Sequence, residues 1–435
     1  LRGFAQSVLC SSVVLSAGIN QRLFQYIGQR PEFFPNAEGV FSKKVILKVS
    51  DYRSALVQGK MLAKKNVWVS EYRIESGLNC GGHVFPTEGH LLGPILQEFQ
   101  TNRENLLAEL RSIYAAALAE KGIAVPSSLS FRITVQGGIG TAAEDTFLRT
   151  HYHMDGTGWG SPFLLVPEAT NVDPATRQLL ADAKKEDYYI SMASPLGIPF
   201  NNIHGTSSEQ KTQENVLNEN PGRYCTKKFL ISNTEFTKEP ICTASRLYQR
   251  LKIAELKVQN FSPDVLKRKI SAVVEKVCLC EDLSAAGIIN SNEHGPQQKR
   301  AVAVCPGPNL AYFSKIVSLE DMVGHIYGRK NLLNETHRPN MFINELQLYI
   351  DFMRNEIQRR VDTWNAKEQK YFDTFRNNLH HGIAHYKELI PHLKEETERY
   401  RETMREELCA LEEELLAIVV PTAARSLVPI CDPIV

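Results

Sequence analysis

Two glycine-rich segments of this sequence have the composition of phosphate-binding loops. The first is Gln136-Gly-Gly-Ile-Gly140 and the second is Gly158-Trp-Gly-Ser-Pro-Phe163, and each follows a short run typical of a β-strand. Glycine lets backbone N–H groups approach an anion, and a helix that begins near Thr141 adds the positive end of its dipole. Loops after adjacent strands meet at the C-terminal face of a (β/α)8 barrel, where they often hold a phosphate. The alternative is that two glycine turns simply connect the elements of an α/β fold.

A third segment, Asn79-Cys-Gly-Gly-His-Val84, places a histidine directly after two glycines and one β/α unit before the first loop. A histidine presented in this way at a strand end can reach the mouth of a barrel with little steric obstruction. There it can act as a general base or as a hydrogen-bond donor near neutral pH. The alternative is a loop histidine whose ring is satisfied by backbone groups.

Four cysteines form a separate set with the spacing Cys-x16-Cys-x35-Cys-x-Cys: Cys225, Cys242, Cys278 and Cys280. Four thiolates can hold Zn²⁺ tetrahedrally or bind an iron–sulfur cluster, and Cys305 is an alternative ligand. Cys-x-Cys is not the common Cys-x2-Cys knuckle, so buried apolar thiols are the competing interpretation.

The elements that must position these residues alternate between strands and helices in the first part of the chain. Five strands are predicted: Ser12–Ser16, Lys44–Val49, Val67–Glu71, Phe131–Gln136 and Met154–Gly158. Helical stretches separate them, which favours a parallel sheet covered by helices. Further along the chain, Ser191–Asn202 contains two prolines and is predicted to be a loop.

The changes in sequence pattern along the chain divide it into three segments: 1–185, a barrel portion; 186–330, a cysteine-containing, helix-rich extension; and 331–435, a helical tail. In the tail, Met341–Glu414 alternates acidic and basic residues around apolar positions. Such a helical face packs on its own domain or on a second subunit. We therefore expect a cap over the barrel or an element of a homo-oligomer.

Composition excludes several classes of protein. The chain has 435 residues with a net charge of +1, so it has no global field for holding nucleic acid or an anionic membrane. No apolar run approaches the roughly 20 residues needed to cross a bilayer. The nine cysteines are odd in number and unevenly spread, which favours a reducing compartment. We expect a cytoplasmic protein that binds neither nucleic acid nor membrane.

Three of these segments together resemble the nitronate monooxygenase (2-nitropropane dioxygenase-like) flavoproteins, which include the FMN-dependent enoyl-ACP reductases. That family has an (E/T)AGGH motif, then AGGI, then GVQxGTxFL, each after a strand. The corresponding segments here are Asn79-Cys-Gly-Gly-His83, Val135-Gln-Gly-Gly-Ile139 and Asp155-Gly-Thr-Gly-Trp-Gly-Ser-Pro-Phe-Leu164. Large members are also similar to Ala193–Phe200 and to the cysteine segments, so the resemblance covers about 12–329.

The resemblance implies an FMN-binding TIM barrel with His83 in the catalytic position. Gly137, Gly138, Gly160 and Ser161 would bind the phosphate. Two further glycines, Gly81 and Gly82, would line the flavin, and Lys48 is a candidate to face its ring system. Only five strands precede the cysteine region and a closed barrel needs eight, so we expect the first strands of the barrel to lie outside this sequence.

The implied reaction is oxidation of a nitroalkane or nitronate with oxygen. The alternative is reduction of an enoyl thioester of the fatty-acid or polyketide type, so the substrate is either a small molecule or an acyl thioester. A third hypothesis, from another class, is a non-catalytic barrel that acts as a scaffold. A fourth is a metal-binding interaction module.

Overall fold

A five-stranded parallel sheet forms the centre of the protein. The computed structural model describes residues 1–77, 81–291, 300–394 and 396–422. The strands are β1 (Ser11–Leu15), β2 (Lys43–Val49), β3 (Val69–Glu75), β4 (Arg132–Gln136) and β5 (Gly156–Gly158). They lie side by side in chain order, and every neighbouring pair is parallel. Parallel strands in chain order bring all five strand-end loops to one edge of the sheet.

Helices connect the strands, as the α/β prediction requires. They are α1 (Arg2–Ala5), α2 (Gln21–Ile27), α3 (Tyr52–Ala63), α4 (Leu92–Glu120), α5 (Ala142–Thr150) and, after β5, α6 (Pro174–Asp182). This order of strands and helices is that of a (β/α)8 barrel, but among the described residues β1 and β5 pair with one strand each and the sheet is open. The α/β class is confirmed, and the closed barrel stays a prediction.

The third strand differs from its predicted bounds. It covers Val69–Glu75 instead of ending at Glu71. The predicted strand ends at Glu71 because charged residues alternate with apolar ones from there on. In the sheet, Tyr72 and Ile74 are buried on one face while Arg73 and Glu75 pair with polar groups on the other. The strand therefore continues for four more residues.

Residues 186–330 begin with a two-stranded antiparallel hairpin, β6 (Tyr188–Ser191) and β7 (Phe200–Ile203). The prediction of a loop over 191–202 is therefore wrong at both ends, because its termini pair with each other across the two prolines. Five helices follow: α7 (Ser207–Leu217), α8 (Arg246–Val258), α9 (Pro263–Val274), α10 (Leu279–Ser291) and α11 (Leu319–Ile326). Short 3-10 helices occur at Pro31–Phe33, Thr87–Gly89, Ser161–Leu165, Lys185–Asp187, Pro308–Tyr312, Val361–Thr363 and Ile390–His392.

The tail consists of α12 (Met341–Arg360), α13 (Ala366–Leu389) and α14 (Glu398–Leu416). Buried side chains of the sheet, of α4 and of these three helices belong to one continuous apolar core. The tail therefore packs on its own sheet, which is one of the two arrangements that its charge pattern predicted. No helix within the described ranges is both long and apolar enough to span a membrane.

Candidate functional site

The exposed edge of the sheet carries a row of paired polar side chains. Glu75, at the end of β3, forms an ion pair with Lys48 of β2 at 2.6 Å. The other carboxylate oxygen of Glu75 accepts a hydrogen bond from Gln136 Nε2 of β4 at 2.6 Å. The charge of Lys48 is therefore balanced by Glu75, and its role beside a flavin ring stays a prediction.

A cavity of about 160 Å³ opens beyond these strand ends. It is lined by Arg73, Glu75, Gly81, Gln136, Gly137, Gly138, Ile139, Gly158, Trp159, Gly160, Ser161, Pro162 and Asn309. Five of the residues predicted to bind the cofactor thus line one cavity, from the loops after β3, β4 and β5. Gly82 and Lys48 lie next to it without lining it.

Residues with unpaired hydrogen-bond donors line this cavity. Within the described part of the chain, the backbone N–H groups of Gly138 and Gly160 donate to no protein acceptor. Ser161 Oγ accepts a hydrogen bond from the Gly307 N–H at 2.8 Å, which leaves the Ser161 O–H group able to donate. A Cβ atom built on Gly160 would meet nothing within 4 Å. Donors without acceptors around an open space suit a bound anion.

The start of α5 differs from the expectation that its dipole would serve the phosphate. The N–H group of Gly140 donates to the carboxylate of Glu144 at 2.8 Å, and Thr141 caps the helix through its side chain. The Glu144 carboxylate thus occupies the position in which an anion would use the dipole. The donors left for an anion are therefore the glycine N–H groups and Ser161, not the helix terminus.

A buried ion pair fixes the Gly137–Gly140 loop. Arg338 contacts both carboxylate oxygens of Glu144, at 2.7 and 3.0 Å, and both side chains are almost completely buried. The same guanidinium donates to the Gly138 carbonyl at 2.7 Å and to Asn309 Oδ1 at 2.9 Å. Gly140 lies so close to Arg338 that a side chain there would collide with it. The backbone of the loop is therefore held before any ligand binds.

The donors suit the phosphate end of FMN, and the volume limits what else the cavity takes. Cofactor pockets have volumes of about 300–1,000 Å³, so 160 Å³ accommodates a phosphate and the start of its chain. Gly137, Gly138, Gly160 and Ser161 would hold that phosphate. We assign no position to the rest of the flavin.

His83 lies two residues beyond Gly81, which lines the cavity, and it is half-buried. Its Nε2 atom is 2.7 Å from Ser194 Oγ, and its ring packs edge-on against Phe200. Burial lowers the pKa of His83 below its usual value of 6.5. The imidazole is therefore neutral at pH 7, so it can donate or accept a hydrogen bond there.

The hairpin and a proline-rich loop hold the segment 81–84 in place. Val84 N–H donates to the Pro199 carbonyl at 2.8 Å, and Asn201 N–H donates to the Gly82 carbonyl at 2.8 Å. A Cβ atom on Gly81 would lie 2.6 Å from the Cys305 carbonyl oxygen, so this position requires glycine. Asn79 and Cys80, which precede the two glycines, lie outside the described residues.

The four predicted metal-binding cysteines lie near one another without forming a ligand set. Burial raises the pKa of the Cys242 thiol to about 11, and the neighbouring Cys225, Cys278 and Cys280 add to the shift. Across 1–77, 81–291, 300–394 and 396–422, no three His, Cys, Asp or Glu side chains are placed to hold a metal ion. The thiols as placed do not fit a bound metal, and zinc or cluster binding stays an untested prediction.

Sequence reasoning missed several residues of the site: Arg73, Glu75, Gln136, Trp159, Ser194, Asn309 and Arg338. Gln136 and Trp159 belong to the glycine-rich segments and could have been included for that reason. Arg338 follows no recognisable motif, and its partner Glu144 is 194 positions away. Pairing over such a distance depends on the tertiary fold.

The sequence matches no model of a known protein family, and no curated protein matches it. Among solved structures, the chain is similar to the enoyl reductase domain of MlnA from the macrolactin biosynthesis cluster of Bacillus amyloliquefaciens. The identity is 17%, 81% of this chain and 77% of that chain are covered, and the TM-score is 0.36. A likeness at this level carries no argument about activity, so the proposals below rest on the site itself.

Proposed function

We propose that this protein is an FMN-dependent oxidoreductase that reduces the double bond of an enoyl thioester. The observation that carries the proposal is the single cavity to which three strand-end loops contribute free N–H donors and the Ser161 hydroxyl, beside a neutral histidine. When bound, FMN supplies the hydride that adds to the β-carbon, and a nicotinamide dinucleotide restores the reduced cofactor.

His83 is the residue that we propose acts on the substrate. As hydride reaches the β-carbon, the π electrons of the double bond move toward the thioester oxygen, and a proton from water then completes the α-carbon. A neutral imidazole can donate a hydrogen bond to that oxygen as its negative charge develops. The Ser194 hydroxyl at 2.7 Å orients the ring for this role.

Nitronate oxidation is the second candidate, and the neutral ring of His83 favours it because a neutral ring can accept a proton from a nitroalkane. We rank it second because accepting a proton converts the ring to imidazolium. The burial that lowers the pKa of His83 disfavours that charged form. Hydrogen-bond donation by the neutral ring has no such cost.

Cofactor binding is tested by titrating the protein with FMN and with riboflavin, which lacks the phosphate, while following flavin fluorescence. We expect FMN to bind at least 10-fold more tightly than riboflavin. Gly160→Asp places a carboxylate in open space within the cavity and should weaken FMN binding by 100-fold or more through charge repulsion.

The matched control is Gly3→Asp, because Gly3 is exposed and a Cβ atom there also meets nothing within 4 Å. It should bind FMN as the wild type does. Equal affinity for FMN and riboflavin, or unchanged FMN binding by Gly160→Asp, would refute the phosphate site. Turnover of a crotonyl thioester with a nicotinamide donor, compared with nitroethane and oxygen, then separates the two reactions. Flavin binding without either turnover would favour the scaffold hypothesis.

A further inference from the structure

Two adjoining cavities beside the start of α8 form what we call the basic cleft. Their volumes are about 940 and 330 Å³, and Arg223, Tyr224 and Arg246 line both of them. The larger one falls at the upper end of the range for small-molecule sites. It is far larger than the cavity at the strand ends, so its role needs a separate explanation.

The basic cleft concentrates positive charge in a chain that is almost neutral. Six cationic side chains line it, against three acidic ones: Lys211, Arg223, Lys228, Arg246, Arg250 and Arg300 against Glu239, Glu281 and Asp282. Arg246 and Arg250 form no ion pair with any residue that the structure describes. A local excess of positive charge with free guanidinium groups favours an anionic ligand.

Two guanidinium N–H groups in the basic cleft lack acceptors. Arg223 Nη2 and Arg246 Nε are both buried, and neither has a hydrogen-bond partner among the described residues. A buried charged donor without an acceptor is costly, so an acceptor toward which either side chain can turn is favoured. Phosphate oxygens are the acceptors that best match the arginine fork.

The arginines are held in position by the fold. Arg223 Nη1 forms a 2.6 Å ion pair with Asp282, a carboxylate that is only 1% exposed. The backbone N–H of Arg246 donates to the Arg223 carbonyl at 2.8 Å, which fixes the two residues side by side. A ligand therefore meets donors that are already arranged.

The remaining wall of the basic cleft is apolar and aromatic. Tyr224 is 75% exposed, and Leu247 is 52% exposed. Arg246 stacks over the Tyr224 ring with its Cζ atom 4.8 Å from the ring centre. A planar base would be sandwiched by such surfaces, whereas inorganic phosphate alone would leave them bare.

The basic cleft is also linked to the proposed catalytic residue by a short chain of contacts. Thr243, next to the cleft residue Cys242, donates from its hydroxyl to the Pro195 carbonyl at 3.0 Å. Pro195 follows Ser194, which contacts His83. The segment that lines the cleft is therefore bonded to the segment that carries Ser194.

We infer that the basic cleft binds a phosphorylated adenosine, the portion common to coenzyme A thioesters and to nicotinamide adenine dinucleotide phosphate. Its phosphates pair with Arg223 and Arg246, and its base packs against Tyr224 and Leu247. The choice of these two sources rests on the proposed function, whereas the inference of a nucleotide site rests only on the cleft.

The test is calorimetric titration of the full chain, without flavin, with adenosine 3′,5′-bisphosphate, adenosine 2′,5′-bisphosphate and adenosine. We expect a bisphosphate to bind at least 10-fold more tightly than adenosine, with an affinity that falls as salt is added. Preference for the 3′,5′ isomer indicates coenzyme A, and preference for the 2′,5′ isomer indicates the dinucleotide.

Arg246→Gln should weaken bisphosphate binding by 10-fold or more while its circular dichroism matches the wild type. Arg250→Gln, at an exposed position, provides a second variant should the first fail to fold. The matched control is Arg111→Gln, on the exposed face of α4.

The inference is overturned if neither bisphosphate binds more tightly than adenosine, or if both cleft variants bind the bisphosphate as the wild type does. Gly160→Asp should bind the bisphosphate normally, so failure of the flavin site is distinguishable from failure of the cleft.

Discussion

The role of His83 is a question at the scale of single residues. Because burial lowers the pKa of His83, the ring is neutral at pH 7 and gains a proton only at a pH below about 6.5. Proton abstraction from a nitroalkane needs the neutral ring, whereas the neutral and the protonated ring can both donate a hydrogen bond to a developing enolate. Nitronate oxidation should therefore fall as the pH drops through the lowered pKa, and enoyl reduction should not show that fall.

His83→Ala should lose about 10²–10⁴-fold in kcat, the usual contribution of a positioned acid, base or hydrogen-bond donor, with an unchanged Kd for FMN. The measurement is kcat against pH for both proteins with each substrate, and any acidic limb that His83 causes should be absent from the residual activity of the variant. His204→Ala is the matched control, because His204 is exposed and its ring contacts Glu209 and Tyr189. Wild-type turnover by His83→Ala would disprove the assignment.

At the same scale, the sequence predicted which residues lie in the loops directly after the strands. Gly137, Gly138, Gly160 and Ser161 reached one cavity because the ends of adjacent parallel strands share an edge. The pattern Thr141-Ala-Ala-Glu144 is typical of a capping box and could have indicated that Glu144 occupies the helix terminus, whereas its pairing with Arg338 from a distant segment could not be predicted. Sequence spacing specifies local geometry, whereas pairing between distant segments depends on the completed fold.

At the scale of elements, one buried carboxylate joins the tail to the sheet. Glu345 of α12 accepts hydrogen bonds from Ser76 Oγ at 2.5 Å, from the Leu92 N–H at 2.9 Å and from the Tyr386 hydroxyl at 2.9 Å. It thereby connects the loop after β3, the start of α4 and α13. Burial nevertheless outweighs these bonds and raises the pKa of Glu345 from 4.5 to about 7.

This raised pKa makes folding stability depend on pH. The folded protein holds the proton on Glu345 between about pH 4.5 and 7, while the unfolded chain releases it. The stabilisation that the bound proton of Glu345 contributes is complete below pH 4.5 and is lost as the pH rises through 7. Over that window the loss amounts to about 3 kcal/mol.

Glu345→Gln removes this dependence and can keep all three contacts, because its oxygen accepts from Leu92 and Tyr386 while its NH₂ group donates to Ser76. The variant should match the wild type near pH 4.5 and be more stable by about 3 kcal/mol above pH 7. Urea unfolding across that range is the measurement, with the exposed Glu402→Gln as control. A constant difference between the proteins at every pH would contradict the prediction.

Element bounds were predicted best where the pattern was apolar. β2 and β4 match their predicted ranges within about one residue, since their buried positions recur at the strand period. β3 was predicted too short because the polar residues on one face satisfy each other. The β6–β7 hairpin was missed because proline marks loops, and nothing in the local sequence shows that residues on either side of it pair.

At the scale of the whole molecule, the tail and the sheet share one core. Gly93 of α4 lies against the Tyr386 ring of α13, and its N–H donates to the Tyr386 hydroxyl at 3.3 Å. Phe372 and Phe375 are completely buried in the same core. The segment boundary near residue 331 thus separates stretches of different composition that pack together, and we predict that the sheet and the tail unfold as one cooperative unit.

Two tryptophans report on the two parts of this core. Trp68 is buried at the start of β3, and Trp364 stacks on Phe372 at 5.5 Å in the tail. Chains that keep only one of them, made by changing the other tryptophans to Phe, should show the same urea midpoint.

Gly93→Ala forces the Tyr386 ring to move and should lower the free energy of unfolding by about 1–3 kcal/mol, whichever of the two tryptophans reports it. Gly3→Ala, whose added Cβ atom meets no other atom, should leave both midpoints unchanged. A lower midpoint at Trp364 alone would mean that the tail is a separate unit docked on the sheet. Coincident midpoints would mean that the site loops depend on the tail for their stability, through the same Glu345 that contacts Ser76.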